Sequence, residues 1–269
     1  MGGQFEIDRV GGEAIPRLAP LWDALFDHHA SIGAAGLEIV ERGESWPLRE
    51  RHYRRLHDEQ PWVSIHLAVR SDRTVGYALS YADELDGRSA VVLETLSVLP
   101  AARGAGLGTL LMRAVDEEAE AAGIGVSVVD VMGGNPRARK LYLGQGYQPY
   151  SESWMRSQRP GTAAGTHRGE TTHDSAVLAE RAAELGFALD FSPGPDDTWV
   201  SADRIAELAP ASADAGSDPA RLGALLDDLA RAGDWTARVE ISSAPASEPL
   251  RSALASLGCR LSTERLARR

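Results

Sequence analysis

Cysteine and lysine are almost absent from this sequence, and it has no long apolar run. Its single cysteine, Cys259, excludes an internal disulfide and leaves no cysteine cluster for a metal. Lys140 is the only lysine, so arginine carries nearly all of the positive charge. No apolar stretch approaches the ~20 residues that span a bilayer, and the opening residues MGGQFEIDRV lack a secretory apolar segment. We therefore expect a cytoplasmic protein that does not interact with membranes.

Positive charge as a whole is also in short supply. The 28 Lys and Arg residues face 39 Asp and Glu residues, which gives a net charge of −11. This balance argues against nonspecific nucleic-acid binding and favours a cationic small molecule or amine as partner. The seven histidines show no HExxH or other metal-ligand spacing, so no metal is expected. The length of 269 residues allows one large or two modest globular domains.

The most informative stretch is residues 91–111, VVLETLSVLPAARGAGLGTLL. It reads as a strand that stops at Pro100 and feeds a glycine-rich turn, which then opens a helix. Such a turn points several backbone N–H groups outward, with the positive end of a helix dipole behind them. The stretch therefore predicts a binding site for phosphate groups.

The spacing of the glycines narrows the ligand. A dinucleotide fingerprint counted from Gly104 and Gly106 needs a third glycine where Thr109 stands, and a Walker A loop needs a lysine that is missing here. The chain instead has Arg-x-x-Gly-x-Gly, which begins at Arg103 and ends at Gly108. A second motif, NPRARKLYLGQGY, follows from Asn135 after one helix and one strand. Together, over residues 1–156, they resemble the pyrophosphate loop and downstream helix of the GNAT superfamily of acyl-CoA-dependent N-acyltransferases.

Hydrophobic periodicity predicts a mixed α/β domain over residues 1–156. Strands are expected at 5–9, 62–70, 75–81, 88–98 and 125–131, and helices at 14–30, 46–59, 106–122 and 137–145. Short links rich in Asp join the middle strands, which favours antiparallel hairpins. The strands that end at Val98 and begin at Gly125 flank one helix, so a βαβ unit requires them to be parallel.

A polar stretch at 157–173, SQRPGTAAGTHRGETTH, is interpreted as a linker to a second domain. In that smaller α+β domain, residues 174–269, helices are expected at 174–185, 219–232 and 248–257, and strands at 187–191, 198–200, 238–241 and 260–266. Their order loosely echoes the end of the first domain. A degenerate GNAT-like half and an unrelated packing module both stay open, and we assign this part no catalysis because it lacks the glycine motif.

The resemblance implies a GNAT-like fold, with a central mixed, mostly antiparallel sheet that splays at the cofactor site, and acetyl-CoA as cofactor. It places the pyrophosphate on the backbone amides of the loop and the thioester against the backbone of the preceding strand. The residues so implied in cofactor binding are Leu96, Val98, Arg103, Gly104, Ala105, Gly106, Leu107, Gly108, Thr109 and Asn135. Asn135 alternatively serves only as a helix cap.

Two residues are candidates for the chemistry itself. Tyr142 occupies the family's general-acid position, where a neutral phenol donates its proton to the departing thiolate. Glu94 is the candidate base, and the alternative is a cleft carboxylate that only binds a cationic substrate. Further acceptor-side candidates on the first two helices, each also explained by packing or solvation, are Trp22, Asp27, His28, His29, Trp46 and Tyr53.

The function implied is direct acetyl transfer from acetyl-CoA to a primary amine of a small molecule, such as an aminoglycoside, a polyamine or an amino acid. A covalent enzyme intermediate is not expected, because Cys259 lies outside the predicted catalytic domain. The alternatives are a peptide or protein N-acetyltransferase and a non-catalytic acyl-CoA-binding regulatory protein. The second domain is left open between a lid, a homodimer contact and a relic.

Overall fold

The computed structural model of the chain describes residues 5–32, 39–157, 175–193, 204–232 and 236–269. The chain divides into two compact units. Unit 1 contains Met1–Ile32, Val40–Pro149 and Arg265–Arg269, and unit 2 contains Gly33–Ile39 and Tyr150–Glu264. Within the described ranges, every helix is too short or too polar to traverse a bilayer, and no three His, Cys, Asp or Glu side chains are grouped as metal ligands.

Unit 1 is a mixed sheet with helices packed on it. Its elements in chain order are β1 (Glu6–Val10), α1 (Ala19–Ile32), α2 (Arg42–Glu59), β2 (Val63–Arg70), β3 (Arg73–Leu85), β4 (Arg88–Val98), α3 (Leu107–Ala121), β5 (Val126–Met132) and α4 (Pro136–Gly144). Strands β1 to β4 pair in sequence as antiparallel neighbours, and β5 pairs with β4 in parallel. The predicted mixed, mostly antiparallel sheet with one parallel crossover is confirmed.

The first two helices differ from the predicted ones in where they begin. The helix predicted at 14–30 starts as a 3-10 helix, Gly12–Leu18, and α1 follows with Pro20 in its first turn. Pro16 inside the first segment cannot donate an α-helical hydrogen bond, which explains the tighter turn. The second helix begins at Arg42 rather than at the predicted residue 46, and Ser45 in its first turn accepts a hydrogen bond from Trp22 Nε1 at 2.8 Å.

Strand β4 has two irregularities near its end. Thr95 pairs with Leu79 and Leu93 pairs with Ser80, so Glu94 has no partner in β3 and forms a β-bulge. The parallel pairing of β4 with β5 runs only as far as Leu93 and Val129. Beyond that point the two strands separate, as the resemblance implies.

Two hydrophobic clusters fill unit 1. One includes Val91, Leu107, Leu111, Tyr142 and Leu266, and the other includes Leu18, Tyr53, Leu67, Tyr77 and Leu79. Neighbouring strand residues alternate between the clusters, so each cluster covers one face of the sheet. Residue Leu266 reaches the first cluster from the C-terminal segment of the chain, which groups with unit 1.

Unit 2 repeats part of the topology of unit 1. Its elements are β6 (Gln148–Ser157), which begins in unit 1, α5 (Ser175–Glu184), β7 (Phe187–Pro193), β8 (Arg204–Pro210), α6 (Pro219–Arg231), β9 (Thr236–Ser242), α7 (Glu248–Ser256) and β10 (Arg260–Arg268), which ends in unit 1. An antiparallel β7–β8 pair is followed by a helix and by β9, which is parallel to β8. The same order, an antiparallel pair, a helix and a parallel strand, occurs at β3, β4, α3 and β5.

The helices and strands predicted for the second domain agree with the structure only in part. The three helices and three of the four strands lie close to their predicted positions, whereas β6 and β8 were not predicted. The strand expected at 198–200 lies outside the described residues, as do residues 158–174 of the expected linker. Ser157, predicted as the first linker residue, ends β6. The domain boundaries stay a prediction, and residues Arg265–Arg269 group with unit 1 rather than with the accessory domain.

Candidate active site

A cavity of about 510 Å³ lies in unit 1, beside the part of β4 that has separated from β5. Four elements form its wall: the end of β4, the glycine loop with the start of α3, one face of α4, and α1. The lining residues are Leu25, His28, Leu96, Ser97, Val98, Ala102, Arg103, Gly104, Gly106, Leu107, Gly108, Thr109, Asn135, Arg137, Ala138, Lys140, Leu141, Tyr142, Gly144 and Gln145. Of the predicted site residues, only Ala105 and Glu94 are not among these lining residues.

The end of β4 presents backbone N–H groups on the edge that no longer pairs with β5. The N–H of Leu99 donates to Val75 O at 2.9 Å and so points toward β3. Backbone direction alternates along a strand, so the N–H groups of Leu96 and Val98 point to the opposite edge, where β5 has moved away. These are the two residues predicted to bind a thioester, and the strand geometry leaves their amides available to a ligand.

The loop after β4 owes its shape to two glycines. Gly104 and Gly106 have φ values of +88° and +78°, a region that disfavours side chains with a Cβ. An added Cβ at either position would meet no heavy atom within 4 Å, so conformation rather than space requires glycine there. Gly106 is the N-cap of α3 and supplies no side chain to its first turn. The first-turn N–H groups of α3 are therefore oriented to bind an anion.

Arg103 links this loop to the strand before it. Its Nε donates to the carbonyl oxygen of Val98 at 2.9 Å. The guanidinium thus bridges the end of β4 and the head of the loop, and the rest of the side chain lines the cavity. Arg103 was predicted at this site from its spacing to the glycines, but its hydrogen bond to Val98 was not predicted.

Helix α4 contributes one face to the cavity. Its N-cap is Asn135, whose Oδ1 accepts from Ala138 N at 3.1 Å. Burial, and to a lesser degree the charge of Arg103, lower the pKa of His28, which lines the cavity together with Asn135. The cap role foreseen for Asn135 is therefore present, in a residue that also lines the cavity. His28 is the one acceptor-side candidate that reaches this lining.

Tyr142 lines the cavity from the same helix with 6% of its surface exposed. Its ring lies 5.9 Å from the ring of Tyr147 between centroids. Burial, and to a lesser degree Tyr147, raise the pKa of the Tyr142 phenol above its ordinary value. The phenol is thus neutral at physiological pH and has a proton to donate.

Glu94 is held by two side chains from α2. Its Oε1 accepts from Arg49 Nη1 at 2.5 Å and lies 3.0 Å from His52 Nε2. Burial opposes ionisation of Glu94, but the hydrogen bond from His52 and the charge of Arg49 outweigh it and hold its pKa at about 2. Such a carboxylate is a weak proton acceptor at neutral pH.

Other acceptor-side candidates have structural partners. The guanidinium of Arg49 lies 4.3 Å from the centroid of the Trp22 ring, which makes a cation–π contact. Tyr53 is fully buried, and its hydroxyl lies 2.9 Å from Tyr77 OH and 2.7 Å from Thr95 Oγ1. Asp27 forms an exposed ion pair with Arg42.

The charge of the cavity contrasts with that of the chain. Three cationic side chains line it, Arg103, Arg137 and Lys140, and none of its described lining residues is Asp or Glu. The net charge of the whole chain is −11. Arg137 and Lys140 were not predicted as site residues, although both lie in the helix that Asn135 caps. Because cationic side chains surround this cavity although the chain as a whole is acidic, the cavity suits a polyanionic ligand.

Comparison with known proteins gives a family for this region. Residues 22–147 match the Acetyltransferase (GNAT) family. A similar solved structure is a GCN5-related glucosamine N-acetyltransferase region in a fungal multi-domain GH3 beta-N-acetylglucosaminidase, with a TM-score of 0.57 and 14% identity. That match covers 99% of this chain but only 38% of the fungal protein, and at this identity it shows the fold alone.

Two further structures each match a little over half of the chain. Aminoglycoside N-acetyltransferase AAC(6')-Iy in complex with CoA is 17% identical, with a TM-score of 0.44, and the match covers 55% of this chain and 90% of that one. Arabidopsis thaliana Naa50 in complex with the bisubstrate analogue CoA-Ac-MVNAL is 19% identical, with a TM-score of 0.37, and the match covers 54% and 83%. No curated protein sequence matches the chain.

Proposed function

We propose that this chain, whose residues 22–147 match the Acetyltransferase (GNAT) family, transfers an acetyl group from acetyl-CoA directly to a primary amine of a small molecule. The observation that carries the proposal is the cavity beside β4. It combines an uncapped helix N-terminus, three cations without a carboxylate, and a buried phenol. The first two features suit the phosphate groups of CoA, and the phenol suits proton donation to the departing thiolate.

The cofactor is held by backbone and cations in this proposal. The amides of the loop and of the first turn of α3 would hold the pyrophosphate, because Gly104 and Gly106 let a ligand approach the backbone closely. The backbone at the free edge of β4 would hold the pantetheine arm. Arg137 and Lys140 neutralise phosphate charge from the face of α4. The thioester carbonyl accepts from the N–H of Leu96 or Val98, which stabilises the oxyanion that forms during transfer.

The transfer then needs one attack and two proton movements. The lone pair of the neutral amine attacks the carbonyl carbon, the carbon–sulfur bond breaks, and the thiolate takes the proton of Tyr142. The proton released by the amine nitrogen returns to the Tyr142 oxygen through water, so atoms and charges balance. Cys259 is buried in unit 2 with a raised pKa, caused by burial, and takes no part in this direct route.

Glu94 has a changed role in this mechanism. Because Arg49 and His52 hold its carboxylate at a pKa of about 2, we assign it the organisation of the acceptor side rather than proton abstraction. Its charge fixes Arg49 against Trp22 behind the β-bulge. The acceptor amine is then deprotonated by water rather than by this glutamate.

Calorimetric titration with acetyl-CoA and a thiol-release assay test the proposal. The amine panel contains spermidine, tobramycin, glucosamine, glycine and a short peptide with a free N-terminus. We expect binding of acetyl-CoA and thiol release with at least one of the small amines. Release with the peptide alone would assign a peptide acceptor instead, and binding without release from any amine would contradict an enzyme.

A further inference from the structure

One arginine from the C-terminal segment connects three elements of the candidate site. Arg268 Nη1 donates to the carbonyl oxygen of Gln145, the C-cap residue of α4, at 3.2 Å. Its Nη2 donates to Asp116 Oδ1 on α3 at 2.5 Å and to Ser127 Oγ on β5 at 3.2 Å. The helix that carries Tyr142, the helix behind the glycine loop and the parallel strand are thus joined through a single guanidinium.

The same guanidinium contacts the aromatic pair that includes the proposed acid. Its Cζ lies 4.8 Å from the centroid of the Tyr147 ring, a cation–π contact. The Tyr147 ring in turn lies 5.9 Å from the ring of Tyr142. The two tyrosines are also joined through the backbone, because Tyr147 N donates to Tyr142 O at 3.2 Å where Gly146 ends α4 with φ +88°.

The C-terminal segment also packs against this pair. Leu266 is fully buried and belongs to the hydrophobic cluster that contains Tyr142 and Tyr147. Arg265 forms a two-pronged ion pair with Asp130 on β5, at 2.9 and 2.8 Å. Because a guanidinium at a helix C-terminus satisfies carbonyl groups and favours the helix dipole, Arg268 stabilises the last turn of α4.

We propose that Arg268 is a positioning residue for Tyr142. It holds the end of α4 and the Tyr147 ring, and the Tyr147 ring fixes the phenol in the cavity. This inference rests on the proposed function, in which Tyr142 protonates the leaving thiolate. Arg268 touches neither acetyl-CoA nor the amine in this arrangement, since it is not part of the described cavity lining.

The test compares Arg268→Gln, Arg268→Lys and the matched control Arg269→Gln. Arg269 forms an exposed ion pair with Asp86, and pairs of that kind contribute little. With acetyl-CoA and the fastest amine of the panel, we expect Arg268→Gln to lower kcat about tenfold through a misplaced acid. The Kd for acetyl-CoA should change less than about twofold, since the loop that binds it is intact. Lysine should restore part of kcat, and Arg269→Gln should match the wild type.

A double-mutant cycle separates positioning from a general loss of structure. In a Tyr142→Phe background the proton donor is gone, so Arg268→Gln should cause no further loss of kcat. Equal effects of Arg268→Gln and Arg269→Gln, or a loss that multiplies in the Tyr142→Phe background, would overturn the inference. A wild-type kcat in Tyr142→Phe alone would instead show that Tyr142 is not the acid, which contradicts the proposed function.

Hydrogen exchange gives a readout that does not depend on activity. Arg268→Gln should speed amide exchange at residues 142–147, and Arg269→Gln should leave it unchanged. Slow exchange at these amides in Arg268→Gln would overturn the inference even if no amine of the panel is acetylated.

Discussion

Replacing Glu94 by glutamine tests the ion pair at the β-bulge. In the native structure its carboxylate binds Arg49 and His52, and only 8% of the Arg49 side chain is exposed. Glutamine keeps the shape and one acceptor oxygen but removes the charge. The buried Arg49 guanidinium, which contacts the rings of Trp22 and Tyr53, then loses the charge of Glu94.

The pKa of Glu94 sets the size of the effect. A folded pKa of about 2 against an ordinary value of 4.5 corresponds to about 3 kcal/mol of stability at neutral pH. Removal of one partner from a buried ion pair costs about 3–5 kcal/mol in other proteins, which agrees. We therefore expect Glu94→Gln to lower the free energy of unfolding of unit 1 by about 3 kcal/mol.

The pH dependence has a definite sign. A depressed carboxyl pKa contributes its full stability above about pH 4.5 and loses it as pH falls toward 2. The wild type and Glu94→Gln should therefore differ most at pH 7 and converge as the pH falls toward 2. Urea unfolding followed by tryptophan fluorescence measures this, because the Trp22 ring lies against Arg49.

A control on the same helix is Glu50→Gln. Glu50 pairs with Arg54 on the exposed surface of α2, so its replacement should cost less than about 0.5 kcal/mol. A decrease in the free energy of unfolding of less than about 1 kcal/mol in Glu94→Gln at pH 7 would contradict a stabilising ion pair at Glu94. A loss that stays the same at pH 3 would refute it as well.

Three further predictions concern the loop, the cap and a buried histidine. Gly106→Ala and Gly123→Ala should each lower the free energy of unfolding by about 1 kcal/mol, because both glycines have φ +78° and open space for a Cβ. Only Gly106→Ala should also weaken acetyl-CoA binding in calorimetry. Asn135→Ala should cost about 1 kcal/mol in thermal unfolding through the lost cap. Burial and nearby charges lower the pKa of His29 from 6.5 to about 3, so stability should fall as pH drops between these values, and His29→Asn should flatten that slope.

The parts of the site that depend on neighbouring residues could be predicted from the sequence. The glycine-rich turn after β4 and the cap at Asn135 follow from turn chemistry and from the side chains that cap helices. The position of Tyr142 in the cavity and the separation of β4 from β5 were expected only through the family resemblance.

The parts that depend on distant residues could not be predicted. Arg49 meets Glu94 across 45 positions, and Arg268 meets Gln145 across 123. No periodic pattern connects such pairs, because only the folded sheet brings them together. Strand β8 was not predicted for a related reason. Its residues RIAELAP include Pro210 and two charged residues, which weaken the sequence pattern of a strand. In the structure, pairing with β7 on one side and β9 on the other stabilises the strand in spite of this pattern.

The role of Tyr142 is tested most directly by the thiol-release rate of Tyr142→Phe at saturating acetyl-CoA, with Tyr150→Phe in unit 2 as the matched control. We expect Tyr142→Phe to lower kcat by about 100-fold or more. The affinity for acetyl-CoA should stay within about twofold of the wild type, and Tyr150→Phe should retain the wild-type rate. A wild-type rate in Tyr142→Phe would contradict the assignment of the cavity phenol as the acid.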